Sequence, residues 1–269
     1  LLICNYIYVI LISLLIIPAF FGNQLLHFSN KEISYFIYMV IFFTGFCRAF
    51  LGPIIPSMIP KIVSKETLPN AITINQGTFL TASVAGHAIG GFLIHWIDIS
   101  GTILVILGLM IFSSIFFWML KKHPSENTER EIGVVQSMRE GIAYIYKTKE
   151  ILGALCLDMF AVLFGGAVAM IPVFATDILK VGSEGVGLLN AASDSGAMGR
   201  IAFLAFVPLK KNQGKILLVA VAGFGLCIIG FGLSKLYWLS FFLLVCSGML
   251  DGISVVIRGT IVQLKTPDH

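Results

Sequence analysis

The chain is written as long apolar runs separated by polar breaks. Runs of about 20 apolar residues, enough to cross a bilayer as a helix, lie at 1 to 21, 34 to 56, 73 to 96, 101 to 120, 151 to 176, 185 to 208, 215 to 234 and 237 to 260. The pattern predicts an all-α polytopic transmembrane helical bundle of eight spans. Only one break is long: "KKHPSENTEREIGVVQSMREGIAYIYKTKE", residues 121 to 150. Its second part sets Val134, Val135, Met138, Ile142 and Ile145 at helical spacing, with Gln136, Arg139, Glu140 and Lys147 on other faces. A helix lying on the membrane surface is expected there. The predicted organisation is an N-terminal half-bundle at 1–120, a cytoplasmic linker at 121–150 and a C-terminal half-bundle at 151–269.

Composition sharpens this into a membrane protein. Of 269 residues, 57% are hydrophobic and 12% charged, and the mean hydropathy is +0.94, well beyond the roughly 45–50% apolar content of soluble domains. The formal charge of +4 matters less than its placement, because Lys and Arg gather on the cytoplasmic side of membrane helices. Alternating the connections puts Lys61, Lys65, Lys121, Lys122, Arg130, Arg139, Lys147, Lys149, Lys210, Lys211, Lys215 and Lys265 on one side, against Lys31, Lys180 and Lys235 on the other. The first span therefore runs outward, and both ends are expected in the cytoplasm of a cell (inner) membrane protein. The basic balance reflects topology and implies no nucleic-acid partner. Cys4, Cys47, Cys156, Cys227 and Cys246 all fall in spans without a C-x-x-C, so they read as small apolar fillers rather than a disulfide framework or zinc site. The first run is too long for a cleaved signal peptide and has no charged stretch before it. The chain begins with Leu1 inside a span and ends at "QLKTPDH", so it is expected to be part of a longer one.

The stretch "GTFLTASVAGHAIGGFLI", residues 77 to 94, places glycines and a histidine in an apolar helix. Ala82, Gly86 and Gly90 recur every four residues, leaving a face almost without side chains, which permits close helix packing. Gly77, eight residues, then Gly86-His87-Ala88-Ile89-Gly90-Gly91 resembles the G-x8-G-P-x-x-G-G antiporter signature of the major facilitator superfamily, with His87 where the family has Pro. Arg48-Ala-Phe-Leu-Gly52 in the preceding span resembles that family's R-x-x-x-G motif. "LPNAITINQGT", "REGIAYIY", "IPVFATDIL" and "RGTIVQLKTPD" resemble its macrolide and siderophore exporter branch. A weak internal repeat, "CRAFLGPIIPSMIPK" at 47 to 61 against "IRGTIVQLKTP" at 257 to 267, fits the duplicated halves common in secondary transporters. The resemblance covers essentially the whole chain and implies helices three to ten of twelve.

Ionisable residues inside spans cost about 2.5–3.5 kcal/mol on insertion scales and are functional candidates by default. Arg48 lies twelve residues before Lys61, about 18 Å, too far to snorkel to that surface, so a buried polar role is expected; the resemblance ties this Arg to proton transfer. Asp158 shares a face with Val162, Gly165, Gly166 and Ala169, and Asp194 with Gly187, Asn190, Ala191 and Ala197. Both are proton-coupling candidates, beside the plainer reading of hydrogen-bonded structural Asp residues. Arg200 is about 240° around the helix from Asp194 and is no ideal partner for it. Asp251 and Arg258 share a face two turns apart, about 10.5 Å, too far for a direct bond; the choice is between pairing across helices as a cytoplasmic gate and anchoring of Arg258 at the interface. His87 restores a backbone donor that Pro would remove and adds a group able to titrate near neutral pH; the choice is between a packing histidine and a proton site.

The H-E-x-x-H, G-x-S-x-G and P-loop motifs are absent, and His27, His87, His95, His123 and His269 lack metal-ligand spacing. No enzyme, metal or cofactor is expected. The implied function is export of an amphipathic small molecule, of drug, macrolide or siderophore type, by proton antiport and alternating access, in a monomer surrounded by lipid. Phe43, Phe50, Met159, Phe160 and Phe164 would suit such cargo. The alternative is a non-transporting receptor or assembly protein of the same fold.

Overall fold

A computed structural model describes residues 2–21, 29–64, 66–119, 134–164, 166–206 and 213–265. These form helices α1 (Leu2–Leu14), α2 (Asn30–Ile62), α3 (Leu68–Met119), α4 (Val134–Lys147), α5 (Lys149–Phe164), α6 (Ile171–Val173), α7 (Ser183–Phe206), α8 (Gln213–Leu233) and α9 (Tyr237–Lys265). Among the described residues there is no strand. That is the outcome bilayer solvation dictates, since backbone groups in hydrocarbon must be satisfied within the segment.

Among the described residues, four segments are long and apolar enough to cross a bilayer: Lys31–Gly52, Asn70–Phe116, Gly214–Leu233 and Tyr237–Arg258. The second, of 47 residues, would extend about 70 Å, more than twice a hydrocarbon core of about 30 Å. It is bent at Asp98, whose φ of 60° and ψ of 177° are not helical. Thr102 ties this bend down by donating to the Asp98 carbonyl at 2.8 Å. One continuous helix in name is thus two spans joined at a left-handed residue. Elsewhere the expected spans are interrupted or more polar. Apolar Cys4–Phe20 ends in a π turn at Ile17–Phe21. Beyond α5, Gly166–Met170 is a 3-10 turn and Phe174–Ile178 a π turn on either side of α6, with Pro172 supplying the reason the α ladder is not continuous. Helix α7 is 24 residues long but carries Glu184, Asn190, Asp194 and Arg200. The polar stretch 121–133 lies outside the described residues; a helix, α4, follows where one was expected.

The chain divides into two compact units, one of Leu1–Gln76 with Phe92–Ser125, the other of Gly77–Gly91 with Glu126–His269. In the first unit α1 packs on α2, and Asn5 donates to the Ser114 hydroxyl at 2.6 Å, both residues being buried. Helix α2 is started by a capping box in which Ser29 and Glu32 satisfy each other's backbone donors.

The second unit is organised around α9, which packs along α7, α8 and α5. One core cluster joins Ile171, Phe174, Ala175, Leu189, Ala192, Phe231 and Leu244; another joins Ala154, Leu217, Ala220, Ile253 and Ile257. The α7–α9 contact is a backbone contact. A Cβ on Gly196 would collide with the Val245 carbonyl, and one on Gly248 with the Ser193 carbonyl. Small residues let the two helices approach until dispersion between backbones holds them, the device available where lipid removes the hydrophobic drive. We expect Gly248→Val to cost about 3 kcal/mol, the upper range of overpacking, read as earlier thermal unfolding in detergent. Gly225→Val, where nothing lies within 4 Å of a new Cβ, should leave that midpoint nearly unchanged.

Candidate functional site

The polar residues of the second unit meet at helix seams, and the first seam joins α3 to α7. Ser83 Oγ donates to Asp194 Oδ2 at 2.5 Å, and His87 Nδ1 lies 2.7 Å from the same oxygen. The His87 side chain is 49% exposed and that of Asp194 27%. One helical turn beyond His87, a Cβ on Gly91 would sit 2.6 Å from the Ser183 carbonyl oxygen and 2.9 Å from the Gly187 Cα, and one on Gly187 would sit 2.6 Å from the His87 carbonyl oxygen. The face of α3 at this seam is therefore Ser83, His87, Gly91. Gly77, Gly86 and Gly90, by contrast, have open space where a Cβ would go, so the glycine face through Ala82, Gly86 and Gly90 is a neighbouring one, not the face in contact.

A second polar seam joins α5 to α9, where Asp158 forms an ion pair with Arg258. Arg258 is the more deeply placed, its side chain 12% exposed. A third joins α7 to α9: Arg200 Nη1 donates to the Gly252 carbonyl at 3.2 Å, with the Arg200 side chain lying over Gly252, where a Cβ would touch its Cδ at 2.6 Å. Asp251 is exposed, and Arg258 takes Asp158 rather than Asp251 as its partner. Arg48, expected to be buried, is exposed on α2. Gly165, expected beside Asp158, lies outside the described residues.

Of the residues singled out in the sequence, the structure thus brings together His87 with Asp194, and Asp158 with Arg258. One participant escapes sequence reasoning: Ser83, an ordinary polar residue in an apolar run; Gly187 shares the face of Asp194 in the sequence pattern, but its partner depends on which helix faces it. The available signal for Ser83 was its four-residue spacing from His87 and eight-residue spacing from Gly91. Among the described residues no group of three or more His, Cys, Asp or Glu could hold a metal ion.

Titratable groups inside membrane helices are rare and usually face other helices, as these do. The sequence model of the Major Facilitator Superfamily matches residues 4–269. The chain belongs to this superfamily. Its relatives include two from Bacillus subtilis (strain 168). The uncharacterized MFS-type transporter YfmI is 20% identical over 268 residues, covering 96% of this chain and 65% of the relative. The uncharacterized MFS-type transporter YkuC is 25% identical over 250 residues, covering 86% of this chain and 57% of the relative. The chain spans less than two thirds of the length of each. As a Major Facilitator Superfamily member it is a membrane-embedded, multi-pass protein, so the α5–α9 ion pair stands among apolar helices.

That setting makes an unpaired charge costly. Neutralising one partner alone, by Asp158→Asn or Arg258→Gln, should destabilise the protein by up to about 3 kcal/mol, because the other charge is left without compensation. The double substitution should cost less than the worse single one. Thermal unfolding of the three variants in detergent measures the difference.

Proposed function

We propose that the protein is a secondary active transporter that exports an amphipathic small molecule in exchange for protons, by alternating access between two half-bundles in the cell membrane. Superfamily membership supports transport rather than catalysis, and the names of the two relatives point the same way. The observation that carries proton coupling is the His87–Asp194 contact across α3 and α7. A carboxylate and an imidazole sharing a short hydrogen bond between two membrane helices can gain and lose a proton while remaining tied to the conformation of those helices. The Pro-to-His departure from the antiporter signature is then part of the coupling, and Asp158 and Arg258 hold α5 against α9 during the cycle.

The aromatic and aliphatic character of the helices fits an amphipathic cargo. Phe43, Phe50, Met159 and Phe160 are all exposed large apolar side chains, available to cargo or lipid. Binding such a molecule would draw on apolar area, with few polar groups fixing its orientation.

Inside-out vesicles containing the full-length protein provide the test. An imposed inward-acidic gradient should drive uptake of a macrolide or a lipophilic dye, and a protonophore should abolish it. Asp194→Asn and Arg48→Ala should reduce uptake to that of vesicles without the protein, and His87→Pro should change its pH profile. Absence of gradient-driven uptake for every compound tried would overturn the exporter reading in favour of a non-transporting protein of the same fold. Unchanged transport and pH profile in His87→Pro would remove His87 from coupling.

A further inference from the structure

The α3–α7 seam concentrates its polar attachment on one atom. Ser83 and His87, one turn apart on α3, both address Asp194 Oδ2. The next residue on that face, Gly91, meets Gly187 backbone to backbone. As residue numbers rise along α3 from 83 to 91, those of their partners on α7 fall from 194 to 187, so the helices run antiparallel through the contact. The glycine pair offers proximity but no side chain to hold it. Separation of α3 from α7 must therefore take Asp194 Oδ2 away from both Ser83 and His87.

The strength of that attachment depends on the proton count of His87. With both ring nitrogens protonated, Nδ1 must donate, and the contact is a charge-assisted hydrogen bond to a carboxylate, roughly twice as strong as a neutral one. A neutral imidazole donates only in the tautomer with its proton on Nδ1; in the other, the Nδ1 lone pair faces a carboxylate oxygen and repels it. Ser83 has no such dependence, since its hydroxyl donates at any pH near neutral. It keeps Oδ2 oriented toward α3 whichever form His87 takes, which makes it a positioning residue.

We propose that Ser83, His87 and Asp194 form a proton-operated latch between α3 and α7, closed when His87 is protonated and loosened when it loses that proton. The latch rests on the proton-coupled reading above for its purpose, though not for its geometry. Because coupling between binding and conformation is reciprocal, opening the seam also favours release of the proton. Proton loss and helix separation become one event, which is what a transporter needs to avoid a leak.

Other charged groups lie on these elements and on those packed against them. On α7, Arg200 holds the Gly252 carbonyl and Glu184 has interactions of its own. On α9, which packs against α7, Arg258 is held by Asp158, and Asp251 is exposed. In the π turn against α7, Asp177 takes the Thr176 hydroxyl at 3.2 Å. On α3 itself, His95 also has interactions of its own.

Hydrogen exchange of the full-length protein in liposomes, without any cargo, tests the latch. Peptides covering 77–94 and 183–200 are followed from about pH 5.5 to about pH 8, the range over which a histidine changes charge, with rates divided by the intrinsic chemical rate at each pH. Corrected exchange in both peptides should rise about tenfold toward the alkaline end, the scale of exchanging a charge-assisted for a neutral bond. His87→Gln, which donates but does not titrate, should flatten the profile. Ser83→Ala should raise exchange throughout and blunt the step, and Ser83→Thr, which restores the hydroxyl, should recover it. A wild-type step that persists in His87→Gln would overturn the proposal, as would identical profiles for Ser83→Ala and Ser83→Thr. Because the readout needs no substrate, a protein that transports nothing yet shows the step loses the export reading and keeps the latch. Gradient-driven uptake without the step keeps export and removes the latch.

Discussion

A charged side chain on an apolar helix needs a partner that lipid does not offer, and here another helix supplies it. In the second unit this constraint decides which helices belong together. Asp194 binds α7 to α3 through Ser83 and His87, Arg200 binds α7 to α9 through the Gly252 carbonyl, and Arg258 binds α9 to α5 through Asp158. Each contact joins a different pair of helices, and none is repeated. The polar groups act as addresses, while the energy of association comes mainly from close packing.

Glycine makes the addresses reachable. At α7–α9, Gly196 and Gly248 bring backbones together from both sides, and at α3–α7, Gly91 and Gly187 do the same. Helix α7 is the common member of both contacts and uses two separate faces for them. Its low apolarity relative to the other long helices follows: Asn190, Asp194 and Arg200 occupy positions that face protein, where polarity can be satisfied. A helix enclosed on several sides by protein need not look like one bathed in lipid. The two seams differ in kind. The α7–α9 seam is flanked by buried Leu189, Ala192 and Leu244, whereas at α3–α7 His87 stays half-exposed beside its partner. Packing of the first sort resists separation, and a seam closed by one carboxylate oxygen can open.

Much of this architecture was legible in the sequence. The apolar runs at 34 to 56, 215 to 234 and 237 to 260 correspond to segments of α2, α8 and α9, because twenty apolar residues in series have little choice but to cross a bilayer as a helix. The break at residues 97–100 was legible too, as a gap between two runs. Its form was not: α3 continues through it with a bend carried by Asp98 alone, since a single left-handed residue redirects a helix without the polar loop a reader looks for. Conversely, the apolar run at 151 to 176 gave no warning of the 3-10 and π turns around α6, apart from Pro172.

The sequence by itself determined the fold class and which residues would carry charge into apolar surroundings: Arg48, His87, Asp158, Asp194, Asp251 and Arg258 are visible as exceptions in an apolar text. It also determined the family, through the spacing of Gly77, Gly86, Gly90 and Gly91. Only the tertiary structure decided the pairings. His87 lies 107 positions from Asp194 along the chain, and helical periodicity, which relates residues a few turns apart, carries no information over that distance. Asp251 and Arg258 share a helix face, yet Arg258 binds Asp158, because partners within one helix are fixed by its pitch while partners between helices are fixed by which backbones can approach. That approach is set by glycines on both sides at once, and a glycine's neighbour is a property of the fold.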